Sequence, residues 1–575
     1  MSTATQPLRK LTPPWARDYH RGKLPGDLTA GLVVAMLLVP QSMAYAALAG
    51  LPPHIGLYAS VLPLIAYALA GSSAVLAVGP VAVVALMTAS ALEPIAEPGS
   101  AAYIAAAATL ALISGAMLLV AGLLRLGALA SFLSHPVISG FTSGAAVLII
   151  VSQLGPLVGV QVDKGAAVTM LVSISQGISD IDPRTAALGL GALVLLWLAR
   201  PVVPALLRTL GLPAHVASLL TRLTPMVLVL AATALVAATG WHHQGLAVAG
   251  ELPQGLPALA LPALDWPLVS VLLLPALLIS ILGFMESVSV ASALARQRHE
   301  RVDADAELRG LGLANLSGGL SAAMPVTGGF SRTAVNADAG AGSPLAGVIT
   351  AVIIALVLVF ATGVFATLPM AVLAAIIIVA VSSLIDVHSL KRLWRYDRAD
   401  ALAMSATAAG VILLGVEAGL ATGVVLSLGV VVWRAGRPHI AEVGQVPGTE
   451  HFRNILRHTV HTRNGLLMLR VDENLFFGNA EAVAVAIEQR LQGREPPIRD
   501  LVLIMSSVSH IDATALETLE ALEHTLAETG TRLHLAEVKG PVMDRLRDTP
   551  LLRELSGTVW LSTQAAFNAL PAASR

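Results

Sequence analysis

A glycine-broken polar stretch at residues 325–336 carries the side chains best suited to chemistry. Proline and glycine interrupt helices, so Pro325 and the pair Gly328-Gly329 predict a new helix that begins at Phe330. A helix start presents unpaired N–H groups with partial positive charge. Because Ser331 and Arg332 lie on that first turn, the sequence predicts a site that attracts an anion. The alternative is a kinked helix in which Arg332 only pairs with an acidic neighbour, although charges within a membrane usually mark function.

Three more polar residues stand among apolar ones. Gln41 and Tyr45 are four positions apart, which places both on one helix face. A carboxyl group in apolar surroundings favours its protonated form, so Glu286 is a candidate for carrying a proton alongside the anion. Such a proton would admit a dianion without adding a buried negative charge. Alternatively, Glu286 and Arg332 form a permanent ion pair that joins two helices, and Tyr45 serves as an interfacial or core residue.

The composition excludes a soluble enzyme. Of 575 residues, 55% are hydrophobic and 12% are charged, and the mean hydropathy is +0.77. The net charge of −1 argues against a nucleic-acid partner. The chain has no cysteine, and the apolar runs contain no His-Glu-x-x-His spacing, so we expect neither a metal site, a cofactor nor a membrane hydrolase.

Apolar runs long enough to cross a hydrocarbon core of about 30 Å recur through the first three quarters of the chain. They predict an all-helical membrane domain with fourteen spans, seven in each half. In the first half we place them at 28–48, 53–71, 75–87, 103–122, 136–154, 183–200 and 225–239. In the second half we place them at 267–294, 309–320, 344–366, 371–384, 399–414 and 417–433, together with a short broken helix that begins at Phe330.

The two halves repeat one plan. Gln41-Ser42 in the first span lines up with Glu286-Ser287 in the eighth, and each half has a broken helix two spans later, at Gly79-Pro80 and at Gly329-Phe330. An odd number of spans per half inverts one half relative to the other. Paired interrupted helices in inverted repeats are the best sequence indication of a transporter site.

Loop charges predict the orientation. The loops after even-numbered spans hold most of the arginine and lysine, whereas those after odd-numbered spans are mainly acidic. By the positive-inside rule both termini are cytoplasmic, in a multi-pass protein of the cell membrane. We read the basic residues 1–27 as a retained cytoplasmic tail and not as a signal peptide.

Charge returns after the last span. We predict a membrane domain at 28–435, a linker at 436–446 and a small cytoplasmic α/β domain at 447–570. In the α/β domain, residues 466–471, 501–505 and 532–536 have the pattern of buried strands, and residues 479–491, 513–528 and 541–549 have helical spacing. The sheet should be partly parallel.

Several motifs resemble one family of membrane proteins, the SulP-type sulfate permeases, which includes relatives of prestin and pendrin. The matching segments are 53–60 with 71–73, 327–336 with 339–341, and, for the linker and the opening of a STAS domain, 437–439, 447–449 and 476–480. The resemblance covers nearly the whole chain.

This resemblance implies a homodimer in which a mobile core moves against a gate domain and an anion lies between two half-helices. The site would comprise the backbone near Val81, the segment 329–332 (Gly329, Phe330, Ser331 and Arg332) and the opposite wall formed by Gln41 and Tyr45. Glu286 takes the acidic position of many proton-coupled members and differs from the aspartate and threonine of sodium-linked bicarbonate carriers.

The STAS domain departs from its soluble relatives, which carry a phosphorylated serine after Asp-Ser. This chain has Asp512-Ala513-Thr514 at that position. Thr514 is a candidate phosphate acceptor in a regulatory site that a cytoplasmic protein partner could contact; alternatively, Asp512 and Thr514 simply begin a helix.

The leading hypothesis is therefore a secondary active transporter that imports sulfate with protons. Alternatives on the same scaffold are a dicarboxylate or bicarbonate carrier and an anion exchanger. A nucleobase carrier shares the inverted repeat but lacks the C-terminal domain. A signalling protein that binds no ligand would not need an unpaired charge such as Arg332 within the membrane.

Overall fold

The computed structural model describes residues 13–17, 19–128, 134–162, 165–262 and 264–570. Of the predicted tail, residues 1–12 and 18 lie outside these ranges. The chain divides into two compact units, Met1–Ser427 and Leu428–Arg575.

The first half of the membrane unit is helical. Its helices are α1 Pro14–Arg17, α2 Leu24–Leu48, α3 Pro53–Tyr58, α4 Leu62–Ala70, α5 Ala82–Leu92, α6 Ala101–Leu123, α7 His135–Val158, α8 Ala167–Gln176, α9 Pro183–Thr209, α10 Ala214–Arg222 and α11 Thr224–Thr239.

The second half repeats the series. Its helices are α12 Trp266–Gln297, α13 Ala304–Leu320, α14 Phe330–Asp338, α15 Leu345–Phe360, α16 Met370–Ser382, α17 Val387–Tyr396, α18 Arg398–Leu414 and α19 Val416–Ala435, which continues into the second unit.

Helices lie at all fourteen predicted span positions. Among the described residues, eight helices are long and apolar enough to cross a membrane alone, or nine if a bent pair counts as one. The predicted third span needs correction, since its helix covers Ala82–Leu92 and not 75–87. Residues Val78–Gly79 instead form strand β1. The reason is Pro80, which has no N–H to donate, followed by Val81 in an extended conformation.

Strand β1 joins the two halves of the membrane unit. It pairs with β2, Thr327–Gly328, in the antiparallel register Val78 to Gly328 and Gly79 to Thr327. The chain therefore runs in opposite directions into α5 and α14, which follow the two strands. This pairing brings the two half-helix starts together at the centre of the unit.

Small residues let α6 and α13 approach closely. A Cβ atom at Gly115 would lie 2.6 Å from the Leu316 nitrogen, and one at Gly312 would lie 2.7 Å from the Leu119 nitrogen. Such close contact between small residues is a common way for membrane helices to associate.

Two buried carboxylates hold the loops beside the half-helices. Glu307 on α13 accepts hydrogen bonds from the Ser72 N–H and hydroxyl, the Ser73 N–H and the Tyr67 hydroxyl, at 2.7–3.0 Å. Asp27 near the start of α2 accepts from the Gly342 N–H, and from the N–H and hydroxyl of Ser343. Each carboxylate satisfies backbone groups of a loop next to α5 or α14.

The second unit is an α/β domain. Its strands are β3 Ile440–Gln445, β4 Phe452–Asn454, β5 Leu466–Val471, β6 Asp500–Ile504, β7 Arg532–Ala536 and β8 Val559–Trp560, in the sheet order β4-β3-β5-β6-β7-β8. Its helices are α20 Ala480–Leu491, α21 Ala513–Glu528, α22 Gly540–Leu546, α23 Pro550–Arg553 and α24 Thr563–Ala569.

Strands β5 to β8 are parallel, and β3 pairs antiparallel with β4 and β5. The partly parallel sheet predicted from the sequence is thus present. Residues 436–446, which we predicted to be a linker, contain β3. Buried Ala441 and Val443 alternate with more exposed residues there, because one face of the strand packs into the domain.

Replacing Glu307 by leucine should destabilise the membrane unit by about 1–3 kcal/mol, because the Ser73 N–H would be buried without an acceptor. Glu307→Gln is the matched control, since its amide oxygen can accept the same N–H groups and its NH2 can donate to Tyr67. Thermal unfolding of the detergent-solubilised protein measures both. Equal melting temperatures for Glu307→Leu and the parent would contradict this role.

Candidate anion-binding site

The structure brings all the site residues predicted in the membrane unit around one cavity of about 50 Å³. The two half-helix starts form one part of its wall, and side chains of α2, α12 and α16 form the rest. The predicted lining residues are Gln41, Tyr45, Val81, Glu286, Gly329, Phe330, Ser331 and Arg332. The sequence analysis missed Ala82, Val83, Ala380, Val381, Ser383 and Leu384.

Both half-helices begin at this cavity. Val81 precedes the first turn of α5 and Gly329 precedes that of α14, both with extended backbone. Neither residue caps its helix with a side-chain hydrogen bond. The first N–H groups of an α-helix have no partner within the helix. The cavity therefore faces two sets of backbone donors and the positive ends of two helix dipoles.

Arg332 adds a full positive charge to these donors. The residue is only 2% exposed. Its Nη1 donates to the Pro80 carbonyl, whereas Nε and Nη2 have no hydrogen-bond partner among the described residues. A buried guanidinium with two free donors is incompletely compensated by the protein. These donors are what an anion would engage.

Glycine makes room for the guanidinium at the end of β1 and directly after β2. A Cβ atom at Gly329 would lie 3.0 Å from Arg332 Nη2, and one at Gly79 would lie 3.3 Å from the same atom. Side chains at these positions would press on the guanidinium. Gly79 and Gly329, which predict helix breaks in the sequence, thus also leave space for the Arg332 guanidinium.

Glu286 and Gln41 stand across the cavity from the half-helices. The structure contains no Arg332–Glu286 ion pair, because the only side-chain hydrogen bond of Arg332 within the described residues goes to Pro80. Glu286, Tyr45 and Arg332 nevertheless line the same cavity. The Gln41 side-chain oxygen is buried without a partner. The side chains of Gln41, Tyr45 and Glu286 are therefore available to contact a ligand in the cavity.

Hydroxyl and amide side chains outside the cavity brace the two strands. Ser287 Oγ lies 2.7 Å from Thr327 Oγ1 and accepts from the Gly328 N–H at 2.9 Å. The Asn315 amide bonds both backbone groups of Val326, and Asn336 Nδ2 donates to the Val75 carbonyl. In the sequence, the repeat of Gln41-Ser42 as Glu286-Ser287 marks Ser287, and the family-like segment 327–336 contains Thr327 and Asn336, whereas no motif marks Asn315.

A wider cavity of about 400 Å³ adjoins the site. We call it the vestibule; it shares Gln41, Phe330, Ser331, Ala380 and Ser383 with the site cavity. Its remaining lining residues are Leu37, Leu196, Ala199, Arg200, Thr221, Arg222, Thr224, Pro225, Ala334, Val335, Ile376 and Val379.

In the second unit, Asp512 caps helix α21. Its carboxylate accepts from the N–H groups of Ala515 and Phe477, and these bonds lower the pKa of the Asp512 carboxyl. Thr514 is exposed on the first helical turn. Asp512 therefore begins a helix, and Thr514 is accessible beside it.

Comparison with known proteins agrees with this architecture. The pattern of the sulfate permease family matches residues 24–407, and that of the STAS domain matches residues 458–566. A probable sulfate transporter of Mycobacterium tuberculosis, MT1781, is 37% identical, with 94% of each chain covered. The chloroplastic sulfate transporter 4.1 of Arabidopsis thaliana is 37% identical over 88% of this chain and 74% of its own.

Solved structures share the fold. The murine anion transporter SLC26A9, described as inward-facing, superposes with a TM-score of 0.87 at 22% identity and covers 99% of this chain and 95% of its own. The transmembrane domain of the cyanobacterial bicarbonate transporter BicA has a TM-score of 0.58 at 25% identity and covers 72% of this chain and 99% of its own.

The family is one of transporters, not of enzymes. With matches that span both units and relatives that align along most of their length, this chain belongs to the sulfate permease family and carries a C-terminal STAS domain.

Proposed function

We propose that this protein moves sulfate, or a similar inorganic anion, across the cell membrane. The observation that carries the proposal is the buried Arg332 guanidinium, whose Nε and Nη2 have no partner at the meeting point of two half-helix starts. The names of the curated relatives, which are sulfate transporters, support the same substrate.

The physical basis is the cost of removing a dianion from water. Backbone N–H groups, the Ser331 hydroxyl and the Arg332 guanidinium can replace lost water hydrogen bonds with fixed donors. In surroundings of low dielectric constant, each of these interactions is stronger than it would be in water. A cation gains nothing from the same groups, so the site favours negative charge.

The protein would expose the anion site alternately to the two sides of the membrane through an elevator-like motion. The half-helices, with α2 and α12, would move as a core against a gate that includes α16. In support, the hydrogen bonds around the site connect α12 and α13 with β2 and the residue before it, and α14 with the loop that precedes β1. We further propose a homodimer with both termini in the cytoplasm, on the basis of the family resemblance and the loop charges.

The STAS domain would then offer a cytoplasmic surface to a protein partner, with Asp512 and Thr514 as a regulatory site.

Glu286 is the proposed coupling group. It lines the same cavity as Arg332 and forms no ion pair with it, so a proton on Glu286 is available to offset the charge of the anion. Proton symport follows if the anion enters only when Glu286 is protonated.

Bicarbonate transport is the second candidate, because the BicA domain shares this fold. A dicarboxylate carrier and an anion exchanger remain alternatives on the same scaffold. Uptake of labelled sulfate, bicarbonate and succinate into proteoliposomes, with and without a proton gradient, distinguishes all four.

Replacing Arg332 by glutamine should lower the sulfate uptake rate per unit concentration at least about 30-fold, since a charge-assisted contact contributes roughly 2 kcal/mol. Ser331→Ala should have a smaller effect in the same direction. The control is Arg184→Gln, at an exposed position at the start of α9. Undiminished uptake by Arg332→Gln would contradict the proposed binding role.

Glu286→Gln should abolish stimulation of sulfate uptake by an inward proton gradient while preserving sulfate–sulfate exchange, because the amide cannot release a proton. Uptake by the parent should fall as the outside pH rises, and the variant should lose this dependence. Glu251→Gln, in an exposed loop, is the matched control. If the variant still responded to the gradient as the parent does, Glu286 would not be the coupling group.

A further inference from the structure

The vestibule contains its own cationic groups. Arg200 and Arg222 are the only charged residues in its lining, and neither Asp nor Glu lines it within the described residues. Arg200 is anchored by a 2.8 Å hydrogen bond from Nη2 to the Val379 carbonyl. With a volume of about 400 Å³, the vestibule has the size of a small-molecule pocket. A pocket lined by one sign of charge concentrates ions of the opposite sign.

Arg222 is shared between the vestibule and a carboxylate outside it. Its Nη2 lies 2.6 Å from Asp338 Oδ2. Its Nη1 is buried and has no hydrogen-bond partner in the described parts of the chain. The Arg222 side chain is 27% exposed and that of Asp338 is 59% exposed. Asp338 can therefore move into water at low cost, whereas Arg222 keeps an unused donor beside the vestibule.

The partner carboxylate belongs to the half-helix that forms the main site. Asp338 is the last residue of α14, whose first turn holds Ser331 and Arg332. Arg222 is the last residue of α10. The ion pair thus ties the far end of the half-helix to a different element at the vestibule.

We propose that Arg222, together with Arg200, forms a second subsite for an oxyanion such as sulfate, and that Asp338 competes with the anion for Arg222. The subsite rests on the proposed function, since it lies where an anion would pass on its way to Ser331. An arriving anion takes the Arg222 guanidinium, and Asp338 is released to solvent. Occupation of the vestibule therefore frees the end of α14 before the anion reaches Arg332.

Substituting each partner of the Arg222–Asp338 ion pair in turn distinguishes this proposal from an ion pair with a purely structural role. Arg222→Gln removes the anion's partner, so the KM for sulfate uptake into proteoliposomes should rise about three- to tenfold. Asp338→Asn removes the competitor, so the KM should fall by a similar factor. The double variant should resemble Arg222→Gln, and Arg200→Gln should also raise the KM. A structural bridge would make both single variants change the KM in the same direction.

Arg208→Gln is the matched control, since Arg208 is exposed and does not line the vestibule. Equal or same-direction shifts for Arg222→Gln and Asp338→Asn would overturn the subsite. Failure of the proposed function would look different, because the parent itself would then take up no sulfate. In that case the same variants are compared for bicarbonate uptake, where opposite shifts support the subsite and parallel shifts overturn it.

Discussion

A guanidinium group held among apolar helices with two unused donors is the constraint that organises the membrane unit. Arg332 gives one hydrogen bond to the Pro80 carbonyl and keeps Nε and Nη2 unpaired within the described residues. A buried charge without full compensation is costly unless another group completes its surroundings. Here the neighbouring groups are two helix starts, which also favour negative charge. An anion bound there, as we propose, would complete the surroundings of the guanidinium and of both helix starts.

Holding this arrangement together requires a rigid frame. The β1–β2 pair fixes the two helix starts relative to each other. Ser287, Thr327 and Asn315 tie the strands to α12 and α13. By contrast, the ion pair of Arg222 with Asp338 is partly exposed and lies at the edge of the vestibule. The buried hydrogen bonds would keep the two half-helices together with α12 and α13, whereas the partly exposed ion pair could break. This arrangement fits the proposed motion of the half-helices as one rigid body.

The local features of the site could be predicted from the sequence. The broken helices follow from glycine and proline, and the choice of Arg332 as a site residue follows from a charge among apolar residues. The break at Gly79-Pro80 could be predicted, but the start of the third helix after it could not, because residues 75–79 are apolar and the pairing of Val78 and Gly79 with β2 is a tertiary contact. Strand β3 was assigned to a linker for a similar reason, since its partner β5 begins about twenty residues later.

Residues that meet only through tertiary packing gave no local signal. Ser383 and Leu384 line the site because α16 ends beside it, and no motif marks them. Arg200 and Arg222 were counted as loop charges, since only the packed helices show which cavity they line.

Anomalous diffraction from crystals soaked in selenate, a heavier analogue of sulfate, tests the central claim most directly. The account predicts a selenium peak between the starts of α5 and α14, with oxyanion oxygens within hydrogen-bonding distance of Arg332 and Ser331. A saturated crystal whose selenium lies elsewhere, with that cavity still empty, would contradict it.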